Sequence, residues 1–267
     1  MKLVTLSSDF GKQTQGVGNM EAVVYSINPV AKVVHLMHGI PGFDVIQAAR
    51  TMETVYYMPV GFHVCVVDPG VGTKRKGIII KVKRGDYFAG PDNGCLMTAP
   101  RLLGGIEKAV EISNEKYMIK PISPIFHGRH VFAPAAAYLS KGVKMKEFGK
   151  EINPKNLAKA PYDEAVVRGG AIEATVIHIN HFGSLHLNIL HDEWDKLEIE
   201  NGNRVEMING RKKIIVPLVD TFGDVAKGEP LIMKDDYQRM EVALNCGSFV
   251  KKYPVCVGDK IMIKKKP

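Results

Sequence analysis

No long apolar run interrupts this chain of 267 residues. None reaches the about 20 residues that a membrane-spanning helix needs, so a membrane partner is not expected. Cysteine is scarce: Cys65, Cys95, Cys246 and Cys256 are far apart and form no CxxC. At this chain length a disulfide framework is not expected, and the thiols read as reduced in a cytoplasmic protein. The serine-hydrolase GxSxG, the P-loop and the dinucleotide GxGxxG are all missing, which leaves those three chemistries without support. No RRM, KH or zinc-finger pattern accompanies the formal charge of +8. The basic residues are scattered, as in Lys74-Arg75-Lys76 and the tail Lys264-Lys265-Lys266, so nucleic acid is not an expected partner. The start, Met1 to Asp9, has neither a long apolar core nor a small-residue cleavage site, and reads as a first strand.

What is present is an alternation of strand and helix signals. Leu3–Leu6, Ala31–Leu36, Phe62–Val67 and Gly77–Val82 read as strands. Val17–Ile27 reads as a helix stopped by Asn28-Pro29, and Asp44 as the N-cap of a helix running to about Tyr57. Tyr87 leads into Gly90-Pro91-Asp92-Asn93-Gly94, either a strand end or a hairpin turn. Phe132–Leu139 reads as a short helix. This order predicts an α/β domain over residues 1–152 with a mostly parallel sheet flanked by helices. Beyond a linker at about 153–162 the pattern changes to short strands with turn signals between them: Ala171–Ile179, Leu185–Ile189, Arg204–Ile208, Lys213–Pro217, Pro230–Lys234, Met240–Leu244 and Lys260–Ile263. Residues 163–267 are therefore predicted to form a small antiparallel β-barrel.

Three loops of the first domain carry polar groups. The β-branched stretch to Val67 ends at Asp68, and Pro69-Gly70-Val71-Gly72-Thr73 then turns the chain so that Arg75 lies seven positions past the acid. Ligands of open α/β sheets bind outside the carboxyl ends of strands, so this run has the form of a reaction site; it also has the form of a plain turn with an Asp–Arg pair. Asp9, after the first strand, can accept hydrogen bonds from a vicinal diol, or make an Asx turn. In Phe126-His127-Gly128-Arg129-His130, His127 is a proton carrier near neutrality, and Gly128 leaves room for a ligand. His35 with His38, and His178 with His181, are spaced by three. On strands that spacing puts the two rings on opposite faces, so no metal is expected.

Together the ordered segments Ser8-Asp9-Phe10-Gly11, His38-Gly39-Ile40-Pro41, Val67 to Thr73, Gly90 to Gly94, Phe126 to Arg129 and Phe132-Ala133-Pro134 resemble the S-adenosyl-L-methionine hydroxide adenosyltransferases, relatives of fluorinase and chlorinase. His181-Phe182-Gly183 with Asn188 extends the resemblance into the second domain. It implies cleavage of S-adenosyl-L-methionine by water to adenosine and methionine, without cofactor or metal. It also implies a homotrimer with sites at subunit interfaces. Asp68, Arg75 and His127 match the water-handling trio of the hydrolase branch; whether Asp68 or His127 takes the proton stays open. Gly128 stands where fluorinase has a serine. The resemblance further implies substrate contacts at Asp9, Phe10, Gly70, Val71, Asn93, Gly128, Asn180, Phe182, Ser184 and Cys246. Asn180 replaces an acid that meets the methionine amino group, and Ser184 an asparagine at the adenine. Gly16, Glu21, Ala22 and His130 are further departures. Two alternatives share these features: a related 5′-transferase of an adenosyl sulfonium using another nucleophile, and a non-catalytic binder of S-adenosyl-L-methionine or adenosine.

Overall fold

The computed structural model describes residues 2–266. They form two compact units, 1–161 and 162–267 by their bounds. Among the described residues no helix is long and apolar enough to cross a membrane.

In the first unit, strands β1 (Leu3–Ser8), β2 (Lys32–Met37), β3 (Gly61–Val66), β4 (Gly77–Val82), β5 (Tyr87–Pro91), β6 (Ile106–Glu111) and β7 (Glu151–Ile152) make one sheet in the order β2-β1-β3-β5-β4-β6-β7. Helices α1 (Gln15–Ile27) and α4 (Ala133–Lys141) cover one face, α1 through Met20, Val24 and Ile27. Helix α2 (Val45–Glu53) and the short α3 (Ala99–Leu102) cover the other, through Ala48, Met52 and Ala99. Asp44 caps α2 by accepting from the Gln47 amide at 2.8 Å.

The sheet is mixed, which corrects the expectation of a mostly parallel one. β2, β1, β3 and β5 run parallel, but β4 is antiparallel to β5 and β6, and β6 to β7. The reason is the connection from β4 to β5. Only Lys83–Asp86 separates them, Gly85 turns at φ +110°, and the Val82 amide donates to the Asp86 carbonyl. A hairpin of that length reverses the chain, whereas a parallel pair needs a long crossover. β6 gave no clear signal because Glu107 and Lys108 interrupt its apolar pattern. Of the linker expected at about 153–162, residues 153–161 fall within the first unit: Leu157 is buried among its core side chains, and the Ala158 amide donates to Asp92 Oδ1 at 2.8 Å.

The second unit is antiparallel and nearly a barrel. It contains β8 (Val167–Arg168), β9 (Ala171–Ile179), β10 (Leu185–Leu190), α5 (His191–Asp195), β11 (Arg204–Asn209), β12 (Lys212–Pro217), β13 (Pro230–Lys234), β14 (Arg239–Leu244), α6 (Phe249–Lys252) and β15 (Lys260–Lys265). The path β12-β11-β15-β9-β10-β14-β13 is drawn toward closure by a bridge between Leu218 and Ile232. Alternate residues such as Ile172, Ala174 and Val176 on β9, and Met240, Val242 and Leu244 on β14, point into one core.

Candidate active site

β1 connects to β2 on one side, and the chain then crosses to β3 on the other. The carboxyl ends of β1 and β3 therefore flank a switch point, where doubly wound sheets open a crevice. Asp9 follows β1 and Asp68 follows β3.

The turn after β3 is built to fold Arg75 back on Asp68. The Val71 amide donates to the Asp68 carbonyl, Thr73 Oγ1 donates to the Gly70 carbonyl at 2.7 Å, and the Arg75 amide donates to Thr73 Oγ1. A Cβ on Gly70 would meet Arg75 Cβ at 3.3 Å, so glycine gives the returning side chain its place. Arg75 then grips Asp68 with two donors, Nε to Oδ1 at 2.9 Å and Nη2 to Oδ2. Both side chains are more than nine-tenths buried. Nη2 also reaches His127 Nδ1 at 3.1 Å, and the guanidinium carbon lies 5.4 Å from the centre of the Phe132 ring.

This contact fixes a proton. A guanidinium only donates, so His127 Nδ1 accepts, and the neutral ring carries its hydrogen on Nε2. Burial, then the Arg75 charge, lower the His127 pKa below the ordinary histidine value; His130 adds to this and Asp68 opposes it. His127 opens a single π-helical turn, Gly128–Phe132, that runs into α4, a local distortion common where side chains are aimed at ligands.

Glycine at position 72 brings the two loops together. Its φ is +75°, and a Cβ there would lie 2.6 Å from the Pro124 carbonyl, just ahead of His127. Gly72→Ala is therefore expected to push the Asp68 and His127 loops apart. Turnover should fall about tenfold or more from sub-ångström misplacement, measured as kcat with the melting temperature as control.

The other expected residues sort into two groups. Asp9 Oδ2 accepts from the Phe43 amide at 2.9 Å, which leaves Oδ1 for a ligand. Phe10 packs edge-on against Phe126 at 5.5 Å, and Val71 lies half-buried in the turn. Gly128 was expected to leave room for a ligand; the space that a Cβ would take there is already filled, by Met20 Sδ at 2.9 Å and Val66 at 3.3 Å, so packing by itself calls for a glycine. Asn93 positions the loop, with Nδ2 donating to the Val67 carbonyl and Oδ1 accepting from the Cys95 amide.

In the second unit, Asn180, Phe182, Ser184 and Cys246 come from two adjoining loops, joined where the Val250 amide donates to the Gly183 carbonyl. Asn180 Oδ1 accepts from the Phe182 and Ser184 amides, both at 3.0 Å, and so shapes its own turn. Ser184 is buried, while Phe182 is 75% exposed. Cys246 is exposed at φ +53°. Two features escaped the sequence reading. Buried Glu241 on β14 has its Oε1 3.4 Å from Asn180 Nδ2. The signal for it was an acid inside the otherwise apolar stretch Met240 to Leu244. His35 and His38, expected on opposite faces, instead share a hydrogen bond of 2.8 Å. The register of β1 on β2 shifts from Leu6↔His35 to Ser7↔Met37, and the extra residue, Leu36, inverts the alternation beyond it. Nothing local in the sequence marks that bulge.

An acid–arginine pair held against a half-buried histidine at the switch point of an α/β unit, on a chain that continues into an antiparallel, nearly barrel-shaped unit, is the mark of a two-domain enzyme. The chain belongs to the SAM hydroxide adenosyltransferase family, whose N-terminal domain model matches residues 4–149 and whose C-terminal domain model matches residues 174–262. An enzyme of Salinispora tropica named (R)-S-adenosyl-L-methionine hydrolase is 32% identical over 265 residues, 97% of each chain. One of the same name from Thermus thermophilus is 35% identical over 93% of this chain and 94% of its own. The crystal structure of an uncharacterized conserved protein from Thermotoga maritima superposes with a TM-score of 0.92 at 31% identity, covering 98% of this chain and 100% of the other.

Proposed function

We propose that the protein hydrolyses S-adenosyl-L-methionine to adenosine and L-methionine by attack of water on the ribose 5′ carbon. The observation that carries this reading is the contact of Asp68 and His127 through Arg75. The leaving group is a neutral thioether expelled from a sulfonium, so it needs no proton. The difficulty lies with the nucleophile, because free water has a pKa of about 15.7. Arg75 cannot be a base and holds the developing hydroxide by charge. His127 has its only acceptor nitrogen engaged by Arg75 and offers Nε2–H as a donor. Asp68 is also held by Arg75, but each carboxylate oxygen keeps a second lone-pair site where the ring nitrogen has none, so Asp68 takes the proton. Attack in line with the C–S bond, away from bulk water, lowers the barrier further. Asp9 is the acceptor for the ribose hydroxyls, and no cofactor or metal takes part.

The relatives' name specifies the R configuration at sulfur, so the assay offers both sulfonium epimers and follows adenosine release. Adenosine from neither epimer would overturn the reading. Buried Glu241 supplies the negative charge that residue 180 lacks and pairs with the substrate ammonium. Glu241→Gln is expected to raise KM about tenfold to a hundredfold while kcat holds, as for loss of a charged hydrogen bond. A KM within twofold of wild type would remove Glu241 from substrate binding.

The working form is a homotrimer with subunit-interface sites, and the reduced thiols fit a cytoplasmic enzyme. Support for assembly comes from large apolar side chains left open beside the site loops: Phe43, whose amide binds Asp9, Ile125 just before His127, and Phe182 are 73%, 79% and 75% exposed. Sedimentation at micromolar concentration should give three times the 29.4 kDa chain mass.

A further inference from the structure

The turn that carries Asp9 is held by a chain of side chains that runs to the surface of α1. Glu21 Oε2 lies 3.2 Å from His35 Nε2, His35 Nδ1 2.8 Å from His38 Nε2, and His38 Nδ1 2.7 Å from Ser8 Oγ. The Phe10 amide donates to Ser8 Oγ at 3.4 Å. Ser8 is fully buried and His38 nearly so, while Glu21 and His35 are partly open.

With both rings neutral, only one arrangement of donors and acceptors is possible. A carboxylate only accepts, so His35 donates from Nε2 and, as a neutral ring, accepts at Nδ1. His38 must then donate from Nε2 and accept at Nδ1. Ser8 donates its hydroxyl hydrogen to His38, and its oxygen receives the Phe10 amide. Every hydrogen points toward Glu21, and bonds aligned in this way polarise one another. Burial, and then His35, push the His38 pKa down to about 4, so the neutral ring that this arrangement needs persists at neutral pH. The His38 carbonyl also accepts from the Gly11 amide at 2.7 Å. Asp9 and Phe10 thus sit between two bonds to a single residue, one through its side chain and one through its main chain.

We propose that His38, polarised through His35 by Glu21, is the positioning residue for the Asp9–Phe10 turn and fixes the carboxylate that receives the ribose hydroxyls. The inference rests on the adenosyl reading of the site. His38 touches no reacting atom, so its effect falls on nucleoside affinity and not on the chemical step.

The test compares Ser8→Ala, His38→Leu, His38→Asn and Glu21→Leu. The readouts are kcat and KM for S-adenosyl-L-methionine, the Kd of adenosine by calorimetry, and hydrogen exchange at the Phe10 and Gly11 amides. Ser8→Ala and His38→Leu should raise both KM and the adenosine Kd about tenfold with kcat within about threefold, and should speed Phe10 exchange. Asparagine at 38 places an amide oxygen near the lost Nδ1 and should recover most of the affinity. Glu21→Leu lies on a partly open helix face, so it is a variant that needs no repacking of the core. It should weaken adenosine about threefold by removing the polarising charge. Unchanged adenosine affinity and unchanged Phe10 exchange in Ser8→Ala would overturn the proposal, as would a loss confined to kcat. A wild-type protein that binds adenosine but releases none from either sulfonium epimer would fail the hydrolase reading alone. The affinity and exchange results would still decide the role of His38.

Discussion

Arg75→Lys is expected to lower kcat by about a hundredfold to a thousandfold, the usual cost of losing one fixed donor at a developing oxyanion. KM should stay within about threefold. The guanidinium makes three contacts at once, Nε and Nη2 on the two oxygens of Asp68 and Nη2 on His127 Nδ1. A lysine keeps the charge but is a single point of donation on a flexible stem, and cannot span both partners. Because the pair is buried, water does not replace the lost bonds. Equal losses in kcat and kcat/KM, read from adenosine release, would identify an interaction made only in the transition state. Turnover within tenfold of wild type would remove Arg75 from the chemistry. Asp68→Asn should lose at least as much, since it keeps the shape but removes the proton acceptor. The pH profile follows from His127. Its folded pKa lies below the ordinary histidine value, so the neutral ring that accepts from Arg75 persists as pH falls through 6.5. The acid limb of kcat/KM attributable to this ring should therefore sit below the ordinary histidine range.

Asp86→Ala is expected to destabilise the first unit by about 3–5 kcal/mol, the range for removing one partner of a buried ion pair. The Asp86 and His63 side chains are fully buried. His63 Nε2 lies 3.0 Å from Asp86 Oδ1, Arg84 donates to both carboxylate oxygens, and the Gly61 amide donates as well. His63 Nδ1 lies 2.9 Å from Thr5 Oγ1, so the cluster ties β1 and β3 to the β4–β5 hairpin below the site. Loss of the carboxylate strands a ring nitrogen and an amide, and leaves the Arg84 guanidinium only its bonds to the Val55 and Tyr56 carbonyls. Thermal melting should shift down by about 10 °C, at about 2–4 °C per kcal/mol for a unit of this size; a shift under 3 °C would contradict the cluster's role.

The signs of the pH dependence follow from the same groups. Burial alone would raise the Asp86 pKa, but hydrogen bonds from His63, Arg84 and the Gly61 amide hold it well below the usual carboxylate value. Its contribution is full above the unfolded carboxylate pKa and is lost only as pH falls through the lower folded value. His63 and His38 are depressed chiefly by burial. They remain neutral in the fold while the unfolded chain takes up protons, so stability should fall as pH drops below about 6.5. The titration of His38 between 6.5 and about 4 contributes part of that loss. Wild-type stability should therefore decline first through the histidine range, and the Asp86 contribution should go last.

What the amino-acid sequence determined by itself was local. The acid, the glycine turn and Arg75 lie within eight residues, so their chemistry and return geometry could be read from the order of side chains. The Asp44 cap, the α1 stop at Asn28 and the change to short strands after residue 160 are likewise set by neighbours in the chain. Decisions that depend on distant partners were not legible. The sense of β4 was settled by a hairpin whose return strand, β5, inserts beside β3. The face of His38 was settled by a bulge against β1. The space at Gly128 was settled by Met20 and Val66, and the carboxylate beside Asn180 by a strand sixty residues on. Alternation and turn chemistry are properties of a few consecutive residues. Register, packing volume and hydrogen-bond partners belong to pairs brought together only when the chain folds, and these turn the Asp68–Arg75 turn into one side of a site that also contains His127.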